Sequence, residues 1–291
     1  MKYIEQRVDD LEALSIDARL KALETHPAII AIPILPPADP LAFTSVFSKL
    51  GPIRTLLGTG ESDDHIWWVE QKAPDRAIGV VVAGRNGLRL HTEPGDTNVS
   101  GSGASERCDV ALRNGQERHQ GDEDGWAHSI LFPDDYAIPP VGHWASPFCF
   151  HDLPLPTDTR VSGQANFHLF ANPGGLLTFR GNGGPVIDDG SGNQYTFVQD
   201  KDIGVLVRNV WYDFVYHVRW SSGADGFFKA WVNGAKKLDH KGPTLYTSCA
   251  AYLKLANYHS AWGSPSSVIH ARVLRGKTPQ SVSLTPLEGV P

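Results

Sequence analysis

An all-β sandwich of the jelly-roll type, preceded by one amphipathic, coiled-coil-like helix, is the fold this sequence predicts. Three observations lead there. From about residue 66 onward, short apolar runs alternate with clusters of Gly, Asn, Asp and Pro, the cadence of antiparallel strands joined by tight turns. The 29 glycines, 21 prolines and single methionine suit strands and turns better than packed helices. The stretch WYDFVYHVRW, residues 211–220, alternates with period two. Tyr212, Phe214, Tyr216, Val218 and Trp220 fall on one face, and Trp211, Asp213, Val215, His217 and Arg219 on the other.

The helix comes first in the chain. In residues 3–24, Ile4, Val8 and Leu11 are spaced four and three apart. Ile16, Leu20 and Leu23 repeat that spacing after a phase break, as in two short coiled-coil segments. Such a helix is marginal alone in water, so it either docks on its own domain or serves oligomerisation or attachment to a larger assembly. His26-Pro27 ends it, and residues 28–40 are apolar and proline-rich, as an extended link or edge strand would be. Residues 41–57 read as a short helix broken at Gly51-Pro52. The expected domains are therefore a helix over 1–26, a linking or anchoring region over 27–75, and a sandwich over 76–291. Within the sandwich the strand candidates are IWWV, AIGVVVA, CDVAL, WAHSILF, NFHLF, LLTF, YTFV, IGVLV, WYDFVYHVRW, FFKAWV, AAYLKLANY and SVIHARVL.

Composition excludes several function classes. A chain of 291 residues, 41% hydrophobic and 20% charged, buries a large core. A net charge of -6 argues against non-specific nucleic-acid binding and against an anionic membrane. No apolar run approaches the roughly 18 residues of a membrane span. The charged N-terminus MKYIEQRVDDLEAL lacks an apolar signal core, so no export signal is expected. Cys108, Cys149 and Cys249 are odd in number and without metal-type spacing, as reduced core residues would be. GxSxG, P-loop, HExxH and CxxC motifs are absent. DDGSGN, residues 188–193, has acidic oxygens but lacks the full spacing and distal glutamate of a calcium hand and reads as a turn. No cofactor is expected, with calcium the one metal those oxygens leave open.

The order of pieces in the C-terminal half carries a family resemblance. WYDFVYHVRW, GFFKAWVNGAKK, GPTLY and AYLKLANY follow one another with short spacers. Upstream lie ERCDVAL at 106–112, WAHSILFPDDY at 126–136 and CFH at 149–151. Over about residues 77–276 this resembles the jelly-roll polysaccharide lyases of the heparin lyase I and glucuronan lyase type. The resemblance implies a concanavalin-like sandwich and β-elimination at a uronic acid. That chemistry needs a base for the C5 proton, a partner for the carboxylate and an acid for the departing O4.

Carried over by motif, the catalytic candidates are His151 as base or helper base and Tyr258 as acid and potential base. Lys254 and Arg107 would be the carboxylate partners. Lys254 and Tyr258, four apart on a strand, share a face. His217, Arg219, Trp231 and Asn233 are the substrate-binding candidates, the polar face of 211–220 being expected to line or approach a carbohydrate groove. Each has a structural rival: His151 as an ordinary satisfied histidine, Lys254 as solvated, Tyr258 as a core cap, and Arg107 as a buried partner of Asp109 or Glu106. The sequence departs from the family where Cys149 replaces a glutamine and Asp109 a glutamate, which weakens positioning of a uronate. The low positive charge disfavours a highly sulfated polymer.

Three readings follow. The first is a polysaccharide lyase acting as a virion depolymerase in a phage tail or fibre. It would be made in the host cytoplasm, act on surface polysaccharide, and assemble through residues 3–24. The second is a non-catalytic carbohydrate-binding or adhesin domain on the same fold, and the third a structural virion protein.

Overall fold

The structure is a computed structural model and describes residues 41–43, 50–56, 59–112, 115–154, 165–184, 196–247 and 249–290. All of these belong to the unit Ala38–Pro291. The helix expected over 3–24, the link over 28–40 and the DDGSGN turn lie outside the described residues.

Alternation dictates how the strands assemble. Each strand with apolar residues at every second position must bury one face, and two such sheets bury their faces against each other. The first sheet runs, edge to edge, through β15 (Ala235–Lys241), β14 (Phe227–Val232), β13 (Trp211–Arg219), β8 (Glu123–Leu131), β17 (Ser266–Gly276), β6 (Arg85–Thr92), β5 (Ala77–Val82) and β2 (Gly51–Pro52), with β1 (Leu41–Ala42) on β17. The second runs through β12 (Thr196–Val205), β11 (Leu176–Asn182), β10 (Phe167–Ala171), β9 (Ala145–Pro154), β16 (Cys249–Ser260), β7 (Ser105–Leu112), β4 (Trp67–Glu70) and β3 (Gly60–Glu61). Described pairings between these strands are antiparallel.

Between the sheets lies an aromatic core. Phe214, Tyr216 and Val218 of β13 meet Phe148 and Phe150 of β9, all fully buried. The rings of Tyr216 and Phe148 lie parallel with centroids 5.4 Å apart. Phe167 stacks on Phe228 at 3.8 Å. His128 lies between Phe148 and Phe214, and its Nε2 and the Tyr216 hydroxyl are 3.0 Å apart. The buried aromatic alternation of 212–220 is thus a core face.

The sandwich extends further toward the N-terminus than composition indicates. Strands β1, β2 and β4 pair with β17, β5 and β7, and β3 pairs with β4, so this part of the region expected as a link belongs to the sheets. Of the short helix expected over 41–57, residues 44–49 and 57 lie outside the described residues, and the strands at 41–42 and 51–52 flank the first of these stretches. Gly51 and Pro52 themselves form a two-residue strand beside β5. At the other end of the chain, Val282 and Leu287 pack on Ala127, Val215 and Trp231, closing that part of the first sheet's outer face. The approach is tight: a Cβ at Gly125 would collide with the backbone at Thr278.

Buried histidines give the fold a pH signature. Burial pushes His259 and His270 down to about 4 and His168 down to about 3, and holds His128 well below the usual range. The unfolded chain takes up protons at these residues near pH 6.5 while the folded chain does not, so stability falls as pH drops below about 6.5. Asp109 acts in the opposite sense. Burial first, then the neighbouring Glu70 charge, push it up to about 8, so the folded state retains a proton that the unfolded state loses, and stability also falls as pH rises from about 6.5 to 8. Urea midpoints measured from pH 4 to 8 are expected to peak near pH 6.5. Asp109→Asn is expected to flatten the alkaline side, where a single proton gives a slope of at most about 1.4 kcal/mol per pH unit.

Candidate active site

The outer face of the second sheet holds the site. Core residues Phe148 and Phe150 fix the inward face of β9, so Cys149 and His151 point outward. Register then aligns outward residues across neighbouring strands. Arg180 of β11 pairs with His168 of β10, His168 with Cys149 of β9, and Cys149 with Lys254 of β16. His151 pairs with Tyr252. Beyond an irregularity between Leu255 and Tyr258, Tyr258 faces Ser146 on one side and Arg107 of β7 on the other.

Around Tyr258 this surface opens into a groove of about 460 Å³, lined by Trp144, Ser146, His168, Phe170, Asn172, Arg180 and Tyr258. Its walls are aromatic and its polar groups converge. The rings of Trp144 and Tyr258 meet edge to face at 4.9 Å, and the Arg180 guanidinium lies over Phe170 at 5.0 Å. Flat apolar ring faces with polar edges suit the C–H faces and hydroxyls of a sugar. The guanidinium of Arg107 sits 4.2 Å from the Tyr258 ring centroid, placing a positive charge against the phenol.

His168 is the groove residue that motif reading passed over. Its Nδ1 is 3.4 Å from Ser146 Oγ, while its buried Nε2 has no hydrogen-bond partner. Burial, aided by His151 and Arg180, pushes its pKa down to about 3, so the ring is neutral across physiological pH. It also stacks on Phe170 at 4.8 Å. The strand NFHLF is legible in the sequence, and its alternation sets His168 opposite Phe167 and Leu169. What the sequence does not reveal is that this outward face borders the strand carrying Cys149.

Beneath Arg107 lies a buried charge network. Lys254 Nζ is 2.6 Å from Glu70 Oε2 and 3.2 Å from Asp109 Oδ2. Arg107 reaches the same Glu70 oxygen at 3.2 Å, and Asp109 through its Nε at 3.3 Å. The Ser100 hydroxyl donates to Glu70 Oε1 at 2.9 Å. Burial works against the Glu70 charge, but Lys254, a hydrogen bond with Asp109, and Arg107 together hold its carboxyl well below the usual range. Asp109 thus does meet Arg107, and Glu70 of β4 supplies the carboxylate charge beside it.

The sequence candidates therefore separate. Tyr258 lines the groove and Arg107 backs it. Lys254 is 5% exposed and committed to the Glu70 carboxylate and the Asp109 carboxyl group, so it is neither solvated nor open to a substrate carboxylate. His151 stacks on Tyr252 with centroids 5.5 Å apart. Its partner across β16 is Tyr252, six residues before Tyr258, and His151 is not among the residues that line the groove. Its Nδ1 approaches Asp152, at 2.9 Å from the carbonyl and 3.1 Å from the carboxylate.

Cys149 is buried, and burial pushes its thiol up to about 12. His217, Arg219, Trp231 and Asn233 belong to or follow strands of the first sheet, so they do not line this groove. His217 pairs with Glu123 at 2.9 Å and Arg219 with Asp225 at 3.3 Å. Trp231, 1% exposed, donates to the Glu288 carbonyl, and Asn233 Oδ1 accepts from the Asp213 backbone. Among the described residues no group of three or more His, Cys, Asp or Glu side chains is arranged to hold a metal ion.

Comparison with known proteins fits this frame. A family model described as polysaccharide lyase matches residues 57–272. The chain belongs to the polysaccharide lyase family. In fold, this polysaccharide lyase is similar to the endo-β-1,4-glucuronan lyase of the fungus Trichoderma reesei, with a TM-score of 0.58 and 16% identity over 80% of this chain and 99% of that one. It is also similar to the alginate lyase Aly36B, with a TM-score of 0.52 and 12% identity over 83% of this chain and 98% of that one. A variant of Aly36B in complex with alginate trisaccharide gives a TM-score of 0.54 and 12% identity over 82% and 98%. No curated protein matches the chain in sequence.

Proposed function

We propose that this chain cleaves a uronic-acid-containing polysaccharide by β-elimination in the groove around Tyr258. The observation that carries the reading is the convergence there of a phenol under a guanidinium, a neutral imidazole with a bare buried nitrogen, and a second arginine. In the reaction the C5–H bond breaks, its electron pair forms the C4=C5 double bond, and the C4–O4 bond breaks as O4 gains a proton. A neutral imidazole whose conjugate acid titrates near 3 is a poor base. The proton transfers are therefore assigned to Tyr258, with Arg107 favouring the charge on its oxygen. His168, in the tautomer with a proton on Nε2, and Arg180 hold the uronate carboxyl group. Glucuronan and alginate-like polymers fit a chain of net charge -6 better than a highly sulfated one.

The test is absorbance in the unsaturated-uronate band with a panel of uronate polymers. Wild-type protein is expected to raise it on at least one polymer. Arg180→Ala is expected to weaken substrate use about ten- to hundredfold through KM, the loss of a hydrogen bond to a charged group. Binding without any absorbance rise would instead support a carbohydrate-binding module.

The placement as a phage tail or fibre depolymerase, assembling through residues 3–24, rests on the apolar spacing expected of a coiled-coil-like helix in that segment. Sedimentation of the full chain as an oligomer would support it, and a monomer would contradict it.

A further inference from the structure

We infer that Glu70, which does not line the groove, is a positioning residue for Tyr258 that acts by holding the Arg107 guanidinium against the phenol ring. The inference deepens the reading just given of the same groove.

The geometry is a clamp. Glu70 Oε2 takes both Lys254 Nζ at 2.6 Å and Arg107 Nη1 at 3.2 Å, and Oε1 takes the Ser100 hydroxyl at 2.9 Å. Arg107 Nη1 also donates to the Ser100 carbonyl at 3.3 Å, and its Nε faces Asp109 at 3.3 Å. The guanidinium is thereby held by Glu70, Ser100 and Asp109, with the Tyr258 ring 4.2 Å from its carbon. Strand pairing builds the clamp in: Glu70 is directly across from Asp109, and Arg107 directly across from Tyr258.

Among the described residues Glu70 is the one group that touches Lys254, Arg107 and Ser100 together. Without it Lys254 and Arg107 both keep Asp109, but Arg107 loses the carboxylate acceptor of its Nη1, and the Ser100 hydroxyl loses its acceptor as well. A planar fork fixed by such contacts loses little freedom when it acts, whereas a loose one does not hold its charge in place.

Arginine-selective ¹⁵N NMR tests this without requiring turnover. A guanidinium stacked on an aromatic ring carries a ring-current shift, and the Arg107 Nε–H signal is assigned by its loss in Arg107→Lys. In Glu70→Gln that signal is expected to move to the position of solvent-exposed arginines, and kcat is expected to fall ten- to hundredfold with KM changed less than threefold. Ser100→Gly is the milder variant should Glu70→Gln not fold. Ser100 is exposed at φ 46°, where glycine is comfortable, and its Arg107 signal is expected to shift part of the way. An unmoved Arg107 signal in either folded variant, even with lowered thermal stability, would overturn the inference by leaving Glu70 a purely structural ion-pair partner. A moved signal in a protein that cleaves no uronate polymer would sustain the positioning role and reject the lyase reading.

Discussion

Tyr258→Phe is expected to lower kcat/KM on a cleavable uronate polymer by about 100- to 10,000-fold, the range a positioned proton donor or acceptor contributes. The change removes one oxygen and keeps the ring, so the edge-to-face contact with Trp144 and the stack under Arg107 persist. Thermal unfolding should therefore stay close to wild type, and binding of an uncleaved oligosaccharide should weaken by no more than about tenfold, the scale of one neutral hydrogen bond. A steady-state assay beside calorimetric binding separates the two quantities. If activity survived in Tyr258→Phe, the proton transfers would have to be reassigned to another group.

The second large effect is on stability. Lys254→Met is expected to cost about 3–5 kcal/mol, because it strips a buried partner from two buried carboxyl groups. Arg107 alone then faces Glu70 and Asp109, and the fully buried Asp109 has no route to solvent. Adding Glu70→Met to Lys254→Met should recover much of the loss, since a buried ion pair replaced by apolar side chains of similar volume is often neutral or stabilising. Denaturant midpoints of the two single variants and the double variant measure the coupling. A Lys254→Met protein as stable as wild type would mean that the ammonium is hydrated, contrary to its 5% exposure.

The aromatic alternation of 212–220 predicts a buried face because period two leaves no other way to hide these side chains, and Phe214, Tyr216, Val218 and Trp220 form the core with Tyr212 packed partly buried against it. The opposite face lies on the first sheet: His217 and Trp231 line a separate pocket there with Lys229 and Lys236, while the groove around Tyr258 lies on the second sheet. Which sheet a strand joins depends on long-range pairing that local pattern does not encode.

The same limit hid Glu70. It ends the run IWWV as an unremarkable acid, and its partner Lys254 lies 184 residues away. His168 was visible as the outward residue of NFHLF, yet only the register of β10 with β9 brings it beside Cys149 and toward Tyr258. Tyr258 and Arg107 were accessible because both belong to motifs whose order carries the family resemblance, and they face each other across one strand pair. The early strands failed for a simpler reason: two-residue strands such as Gly51–Pro52 are too short to show any period.

The mass of the products formed from a defined uronate oligosaccharide tests the central claim most directly. Elimination adds no water, so the two fragments are expected to sum to the mass of the substrate, with a C4=C5 double bond on the new non-reducing end and no such products from Tyr258→Phe. Fragments that sum to the substrate plus one water would show hydrolysis, and an intact oligosaccharide after exposure to every uronate polymer type would show a protein that binds without cleaving; either result would contradict the account.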